Sequence, residues 1–487
     1  MTRCLIVAGN FNLTNVTELF QELVELGQYP KEKSDTVTVL EKIGHFLDDE
    51  VNRLHTWYKP EGYSNMEINQ LIAENLDVGR LLRRASKKFD GGYVMGGMIG
   101  HGDAFVMRDP AGIRPAFWFQ DDEFVAVASE RPALQTVFSK HVDEIQEVKP
   151  GHALIIKKSG KVSEERFIEE IPRAACSFER IYFSRGTDRD IYLERKELGN
   201  RLAKQVLESV DYDFENTVFS YIPNTAETAF MGMVEGLESE LATWKKQKIK
   251  KAQKKGKNKL TKILSTKVRN EKLVVKDGKT RTFIADTNSR GDMVSHVYDV
   301  TYGIVRNEVD TLVLLDDSIV RGTTLRESVI SIVSRLRPKK VIIVSSAPQI
   351  RFPDCYGIDM SKMGEFVAFK AVESLLIENG KKKLLKKVYN KAKKELELPK
   401  EQQVNAVKEL YEQFPYAMVS QRIAEIVTPE NIKFPVEVIY QTIEDLRESC
   451  PNNNGDWYFR GNYPTPGGTR VGNQAYINYI EGNNERA

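Results

Sequence analysis

Two adjacent carboxylates, Asp316 and Asp317, end the apolar run of "LVLLDDSIVRGTTL" (312–325). An unbroken run of this kind reads as a buried strand. The strand would deliver both acids to its carboxyl end. Ser318, Arg321, Gly322, Thr323 and Thr324 follow in a small polar loop, and then a helix starts. Loop N–H groups and a helix N-terminus suit a bound phosphate, with Thr323 and Thr324 as further donors. The carboxylates can take ribose hydroxyls or a hydrated Mg²⁺. Together these residues describe a site for a ribose 5-phosphate that carries a metal-bound leaving group. A bare Asp pair would only cap the next helix; the full string asks for more.

Several elements must hold that loop. "TVFSYIP" (217–223), "TLVLLDD" (311–317) and "VIIVSSAP" (341–348) read as strands, and "TLRESVISIVSRLR" between the last two as a helix. Strand, loop, helix, strand is a βαβ unit. It implies a parallel sheet with ligands at its carboxyl edge. A helix over 192–210 carries Leu198, Leu202 and Val206 on one face.

The first third has another character. Cys4–Ala8 is an apolar run that reads as a core strand. Residues 15–27 read as a helix with a capping-box pair, Asn15 and Glu18, and a stop at Gly27. Leu40, Ile43, Leu47, Val51 and Leu54 mark a second helix face. Short strands and turns fill 91–157, giving an antiparallel α+β region. After 360 the chain is helical, then ends in a Gly/Pro/Asn-rich tail that reads as irregular.

The chain has 487 residues, enough for two to three domains. Its net charge of +2 by itself points to neither nucleic acid nor membrane. Four scattered cysteines fit reduced thiols in a cytoplasmic protein. No apolar run approaches the ~18 residues of a spanning helix.

The Asp-Asp string resembles the phosphoribosylpyrophosphate (PRPP) motif of type I phosphoribosyltransferases. The likeness extends to the amidophosphoribosyltransferase family. "RIYFSRGTDRDIYLERKELGNRLA" resembles that family's entry into its transferase domain, "YIPNTAETA" (221–229) its pyrophosphate loop, and "KTRTFIADTNSRG" (279–291) its flexible lid. "SSAPQIRFPDCYGIDM" (345–360) matches the segment after the motif. "GNFNLTNVTEL", "KSDTVTVLE", "GGYVMGGM", "MRDPAGIRPAFW", "VAVASERPAL" and "VKPGHALII" match the glutaminase half in order.

The resemblance implies a glycosyltransferase of the first step of purine synthesis. Ammonia, made from glutamine in the complete enzyme, would displace pyrophosphate from PRPP and leave 5-phosphoribosylamine. The implied fold is a partial N-terminal-nucleophile glutaminase domain, αββα-like, over 1–172. A type I phosphoribosyltransferase domain follows over 173–360, with a Lys-rich insert at 242–275. A helical C-terminal extension with an irregular tail would occupy 361–487. Asp316, Asp317, Ser318, Arg321, Gly322, Thr323, Thr324, Lys279 and Arg281 would bind PRPP. Thr225, Asp316 and Asp317 would serve Mg²⁺. A catalytically impaired PRPP- or nucleotide-sensing protein on the same fold is the alternative.

On the glutaminase side, Asn10 matches an oxyanion-hole side chain and Asp35 the residue that takes the substrate's amino group. Phe11 stands where the family has Gly. The family's nucleophile is an N-terminal cysteine upstream of "GNFNLTN"; Cys4 does not match it and reads as a small buried residue. The expectation is a shortened glutaminase half, whether from a mis-called start or a true truncation, that leaves free ammonia as donor. Cys176, Cys355 and Cys450 match cluster-ligand positions of family members that hold a [4Fe–4S] centre; the fourth ligand is absent, so a cluster is not expected.

The family forms homo-oligomers, which the resemblance extends to this chain. The run "KKQKIKKAQKKGKNKLTK" (245–262) is strongly basic and poor in aromatics. It is read as a solvated insert near the lid, or a mobile loop, in preference to a nucleic-acid site. A second run (381–394) places Leu384, Leu385, Val388 and Ala392 between lysines, as a packed surface helix would and a membrane anchor would not.

Overall fold

The computed structural model describes residues 2–252, 257–276, 298–358 and 360–485. The first half runs β1 (Leu5–Leu13), α1 (Val16–Glu25), α2 (Asp35–Tyr58), α3 (Asn65–Asn75), α4 (Val78–Ala85), β2 (Gly91–Ile99), β3 (Ala104–Arg108), β4 (Phe117–Gln120), β5 (Val125–Ala128), α5 (Arg131–Phe138), β6 (Gln146–Glu147), β7 (His152–Ile156) and β8 (Val162–Arg166). Five strands form an antiparallel sheet in the order β1-β2-β3-β7-β8; β5-β4-β6 form a smaller one. Alternation along each strand separates two faces. Tyr93, Met95, Phe105 and Met107 join Val39, Ile43, Leu47 and Leu82 in a core under helices α2 to α4. Val94, Gly96 and Val106 face the other way, toward Val127 and Ala128 of the small sheet.

Some local expectations fail here for identifiable reasons. The Cys4–Ala8 run enters a strand, but an edge strand that pairs only with β2 among the described residues. Leu5 and Val7 pack on the core, whereas Ile6 is 70% exposed and Cys4 is exposed rather than buried. Asn15 precedes α1 without capping it. Its amide donates to Lys88 O (2.8 Å) and its carbonyl accepts from Asp90 N–H, so the side chain joins two segments instead. Leu40 is exposed, and Val39 takes its place on the buried face of α2.

The second half holds α6 (Arg189–Ser209), β9 (Thr217–Tyr221), α7 (Glu227–Ala252), α8 (Lys257–Ser265), β10 (Arg269–Asn270), β11 (Val274–Lys276), β12 (Tyr298–Val300), β13 (Thr311–Asp316), α9 (Ile330–Ser334), β14 (Lys340–Ser345), α10 (Val367–Glu378), α11 (Lys383–Glu397), α12 (Tyr416–Val427), β15 (Val436–Tyr440) and α13 (Pro466–Glu481). Its sheet is parallel throughout, in the order β10-β9-β13-β14-β15. Leu312 and Leu314 face one core; Val313 and Leu315 face the other, with α6 and α7. Burial on both faces explains why these strands read as continuous apolar runs. No helix among the described residues is long and apolar enough to cross a membrane.

Two expectations for this half are corrected. The segment after 360 is not simply an extension. It donates β15, which pairs in register with β14. The Gly-rich end is not irregular either, because Pro466–Glu481 is a sixteen-residue helix. Thr465 caps it by accepting from Gly468 N–H, and Pro466 opens it. Its glycines fit because a Cβ at Gly468 would fall 2.3 Å from the Tyr356 hydroxyl, and one at Gly467 1.8 Å from Thr14 Oγ1. The tail's composition records close packing against the rest of the chain, not disorder. The basic run also departs from a loop: residues 245–252 complete α7, and 257–265 form α8.

Glycine also sets how α6 lies on α7. A Cβ at Gly199 would sit 1.7 Å from Ala229 O, and one at Gly232 1.8 Å from Lys196 O. Farther along both helices a Cβ at Gly236 would meet Ala203 at 2.7 Å, so the two run parallel and touch backbone to backbone. Below the sheet, Asp310 fixes the start of β13. It is fully buried and accepts from Arg269 (2.7 and 2.9 Å) and Arg306 (2.6 Å). Burial alone would raise its pKa, but hydrogen bonds from the two guanidiniums win and hold it at about 2.

Gly232→Ala should destabilise the chain by about 1–3 kcal/mol through forced separation of α6 and α7, read by denaturant unfolding. A carboxylate with a depressed folded pKa stabilises above its unfolded pKa and loses that effect as pH falls through the folded value. Asp310→Asn should therefore destabilise at pH 7, with the gap to wild type narrowing as pH drops from about 4 toward 2. An unchanged gap across that range would rule this account out.

Candidate functional site

At the carboxyl edge of β13 the chain turns sharply into the loop that the sequence singles out. Asp317 N–H donates to Asp316 Oδ1 (2.9 Å), and Ser318 Oγ donates to Asp317 Oδ1 (2.8 Å). Gly322 has φ +75°, and a Cβ there would also meet Val427 at 2.8 Å. Thr323 and Thr324 then open a helical turn, with Arg326 N–H bonded to Gly322 O. The helix begins with a π-type turn, Leu325–Val329, before α9.

A cavity of about 520 Å³ lies over this loop. Asp316 to Leu325 line it, with Phe178, Tyr182, Tyr298 and Ile358 opposite. Thr225, from the loop after β9, comes near enough to Asp317 to favour its ionised form. The structure thus gathers Asp316, Asp317, Ser318, Gly322, Thr323, Thr324 and Thr225 at one sheet edge. Lys279 and Arg281, expected as lid cations, lie outside the described residues. Arg321 lines the cavity, but its guanidinium pairs with Glu365 (2.6 Å) and is half-exposed.

Among the described residues, two carboxylates dominate the site and neither is in an ion pair. Burial, then the neighbouring Asp317 charge, pushes Asp316 well above the usual carboxylate range. Burial raises Asp317 to about 6, against opposing pulls from Ser318 and the Arg195 charge. Burial and the same two acids raise the Tyr298 hydroxyl to about 12. A cation bound between the two carboxylates would relieve their mutual repulsion. Asp316, Asp317 and Thr225 could contribute to holding one, though no group of three or more His, Cys, Asp or Glu among the described residues forms a metal cage.

Sequence reasoning missed Arg195. It sits on the buried face of α6, in step with Ile191, Leu198 and Leu202. Its guanidinium donates to the carbonyls of Arg180 (2.8 Å), Tyr182 (3.1 Å) and Ser184 (2.7 Å), and its charge faces Asp317. An arginine at a core-facing position of an amphipathic helix was the available signal.

A second cavity, of about 490 Å³, opens beside the first. Gly9, Asn10, Val94, Gly96, Val106, Arg114 and Ser129 line part of it. Phe183, Gly357 and Ile358 line both cavities and form the partition between them. Asn10 is where the sequence places it. Asp35 is not among the lining residues; it sits in the first turn of α2, where its carboxylate accepts from Thr36 N–H (2.8 Å) and meets the helix dipole.

The partition is clasped from the first half of the chain. Asn12 Nδ2 donates to Cys355 O (2.6 Å). Arg114 donates to Tyr356 O through Nε (3.1 Å) and Nη2, and through Nη1 to Glu179 (2.9 Å). Glu179 also accepts from Ser184 Oγ. Asp354 accepts from the N–H groups of Tyr356 and Ile358 and from the Trp457 indole. Arg114 is buried, and one guanidinium therefore braces both sides of the partition.

Cys176, Cys355 and Cys450 are all buried. Burial pushes the Cys176 thiol up to about 12, and its Sγ lies 3.3 Å from the Tyr458 hydroxyl. Burial likewise raises Cys450, which faces Glu194. Burial disfavours the thiolates, and among the described residues no three or more His, Cys, Asp or Glu come together as a metal-holding group.

No sequence-family profile matches the chain. The amidophosphoribosyltransferase of Bacillus subtilis is 28% identical over 390 residues, covering 77% of this chain and 66% of that protein. The Escherichia coli amidophosphoribosyltransferase is 29% identical over 377 residues, covering 75% and 64%. The chain thus spans just under two thirds of the length of these curated relatives. Among solved structures, B. subtilis glutamine PRPP amidotransferase complexed with ADP and GMP superposes with a TM-score of 0.59 at 24% identity, covering 95% of this chain and 77% of that one. A structure described as the allosteric regulatory enzyme of purine biosynthesis gives 0.58 at 23% identity, covering 95% and 76%. The chain resembles amidophosphoribosyltransferases over three quarters of its length and shares their fold.

Arg114→Met leaves Glu179 buried without its cation. Removing one partner of a buried pair costs about 3–5 kcal/mol. Arg114→Met/Glu179→Gln should cost less than Arg114→Met alone in denaturant unfolding. Equal losses would show that the pair is not what braces the partition.

Proposed function

We propose that this chain displaces pyrophosphate from PRPP with ammonia, giving 5-phosphoribosylamine, the first step of purine synthesis. The observation that carries the reading is the meeting of Asp316, Asp317 and Thr225 at the carboxyl edge of a parallel sheet, over a loop built to take a phosphate. The similarity to amidophosphoribosyltransferases supports it.

In this reading the loop 318–324 binds the 5-phosphate through its N–H groups and the hydroxyls of Thr323 and Thr324. Asp316 and Asp317 orient the ribose hydroxyls and hold Mg²⁺. Mg²⁺ characteristically takes one or two carboxylates plus substrate phosphate oxygens, so the absence of a full protein cage among the described residues is compatible with it. When bound, the ion neutralises charge on the departing pyrophosphate. Phe178, Tyr182 and Tyr298 restrict water at the reacting carbon. The bond from C1 to the pyrophosphate oxygen breaks as the bond from C1 to nitrogen forms, and the attacking nitrogen then loses a proton.

The Asn10 cavity has no cysteine among its lining residues. Free ammonia is therefore the donor proposed for the chain as given, and the second cavity is its route toward the partition.

The test is pyrophosphate release from PRPP and Mg²⁺, with ammonium chloride or glutamine as donor. Ammonium should support turnover and glutamine should not. Asp316→Asn/Asp317→Asn should lower the ammonium rate by at least about 10²–10³-fold, on the scale of losing preorganised electrostatic stabilisation. No release with either donor would overturn the proposal.

A further inference from the structure

The catalytic reading leaves the basic run unexplained. Residues 241–268 contain eleven lysines, no acid and no arginine. With a chain total of +2, the other 459 residues carry a net −9. The positive charge is therefore concentrated in one segment.

The described part of that segment on α7 lies at the opposite edge of the sheet from Asp316 and Asp317. Helix α7 starts just after Thr225, at the carboxyl edge, and runs back along the sheet. Trp244 meets Phe214, which precedes β9, at a ring separation of 5.7 Å. Lysines 245 to 251 thus extend past the amino edge of the strands. Beyond Trp244 no described side chain of α7 is buried, and Lys246, Lys248, Lys250 and Lys251 are exposed. Lys262 on α8 pairs with Glu215. Among the described residues, Lys245, Lys246, Lys248, Lys250 and Lys251 have no carboxylate partner.

A solvated helix face need not look like this, and the same molecule provides the comparison. Helix α11 is also Lys-rich, yet Lys387 and Lys391 pair with Glu409, and Lys393 pairs with Glu481. Its apolar residues pack on the core. The end of α7 has neither counter-charges nor a packed face. Like charges four apart, such as Lys246 and Lys250, weaken a helix. Two lysines in the last turn are enough to answer the helix dipole; the run far exceeds that.

We propose that the end of α7, residues 245–251, binds the phosphate backbone of nucleic acid without regard to sequence. Eight residues of helix span about 12 Å, opposite which a duplex presents about seven phosphate charges. Lysine is a flexible point charge suited to phosphates, while the planar forks that read base edges come from arginine, which the segment lacks. Membrane insertion would need an apolar face, and residues 245–251 offer only Ile249. The sequence-based preference for a simple solvated insert gives way on the absence of counter-charges.

The test uses the full chain and fluorescence anisotropy with a labelled 20-nucleotide RNA and a DNA duplex of equal length, from 50 to 200 mM KCl. Both should bind, weakening with log-salt slopes of about −4.5 for the duplex and about −3.5 for the RNA, as for five neutralised phosphates. Lys→Gln at 245, 246, 248, 250 and 251 should weaken binding at least tenfold and flatten the slope. Lys→Arg at the same positions should retain it. All variants should keep wild-type pyrophosphate release, because the end of α7 is remote from that edge. Failure of wild type to bind at 50 mM KCl, or unchanged binding by the Gln variant, would overturn the proposal. So would binding to phosphatidylserine vesicles without binding to RNA.

Discussion

The loop 354–358 is the element on which the two halves of this molecule agree. Asn12 and Arg114 reach it from the first half, Trp457 and the Asp354 carboxylate from the second. Gly357 makes the closure feasible. Its φ of +105° is open to glycine, and a Cβ would press on Arg114 at 2.9 Å. The loop walls both cavities, so the shape of each depends on contacts made by the other half. Helix α13 adds a second tie: Gly467 N–H donates to Asp90, which also takes the Thr14 hydroxyl.

The transferase edge adds a different constraint, electrostatic rather than steric. A sheet covered on both faces leaves its carboxyl edge as the outlet for strand-end side chains. Asp316 and Asp317 emerge there beside aromatic rings, with Arg195 held nearby by backbone carbonyls. Burial and their mutual repulsion raise both pKa values, and a bound cation would reverse that shift. Arg321, the basic residue inside the loop, answers to Glu365 and does not relieve it.

Legibility in the sequence followed how local each signal was. The strand, Gly322 and the two threonines were readable because strand length, turn and helix start occupy fourteen consecutive residues. Thr225 came from resemblance, since the ninety residues between it and the acids carry no local sign of their meeting. Asp35 also came from resemblance; the fold sets it in the first turn of α2, outside the lining of the Asn10 cavity. Asn15 had the right type and spacing for a cap, but Lys88 and Asp90 offered its side chain better partners. The Gly-rich tail was misread because a glycine tolerated for close packing looks the same in sequence as one used for flexibility.

The sequence by itself determined the parallel sheet, the carboxylate pair at its edge, the antiparallel first half and the segregation of lysines. Those features depend on periodicity and composition within short stretches, where side-chain chemistry alone sets the outcome. Tertiary structure decided the rest: the edge position of β1, the strand contributed after residue 430, the helical end, and the arginine that braces the partition. Each depends on which distant surface comes within contact, and burial, close approach and ion pairing acquire their energies only at that point.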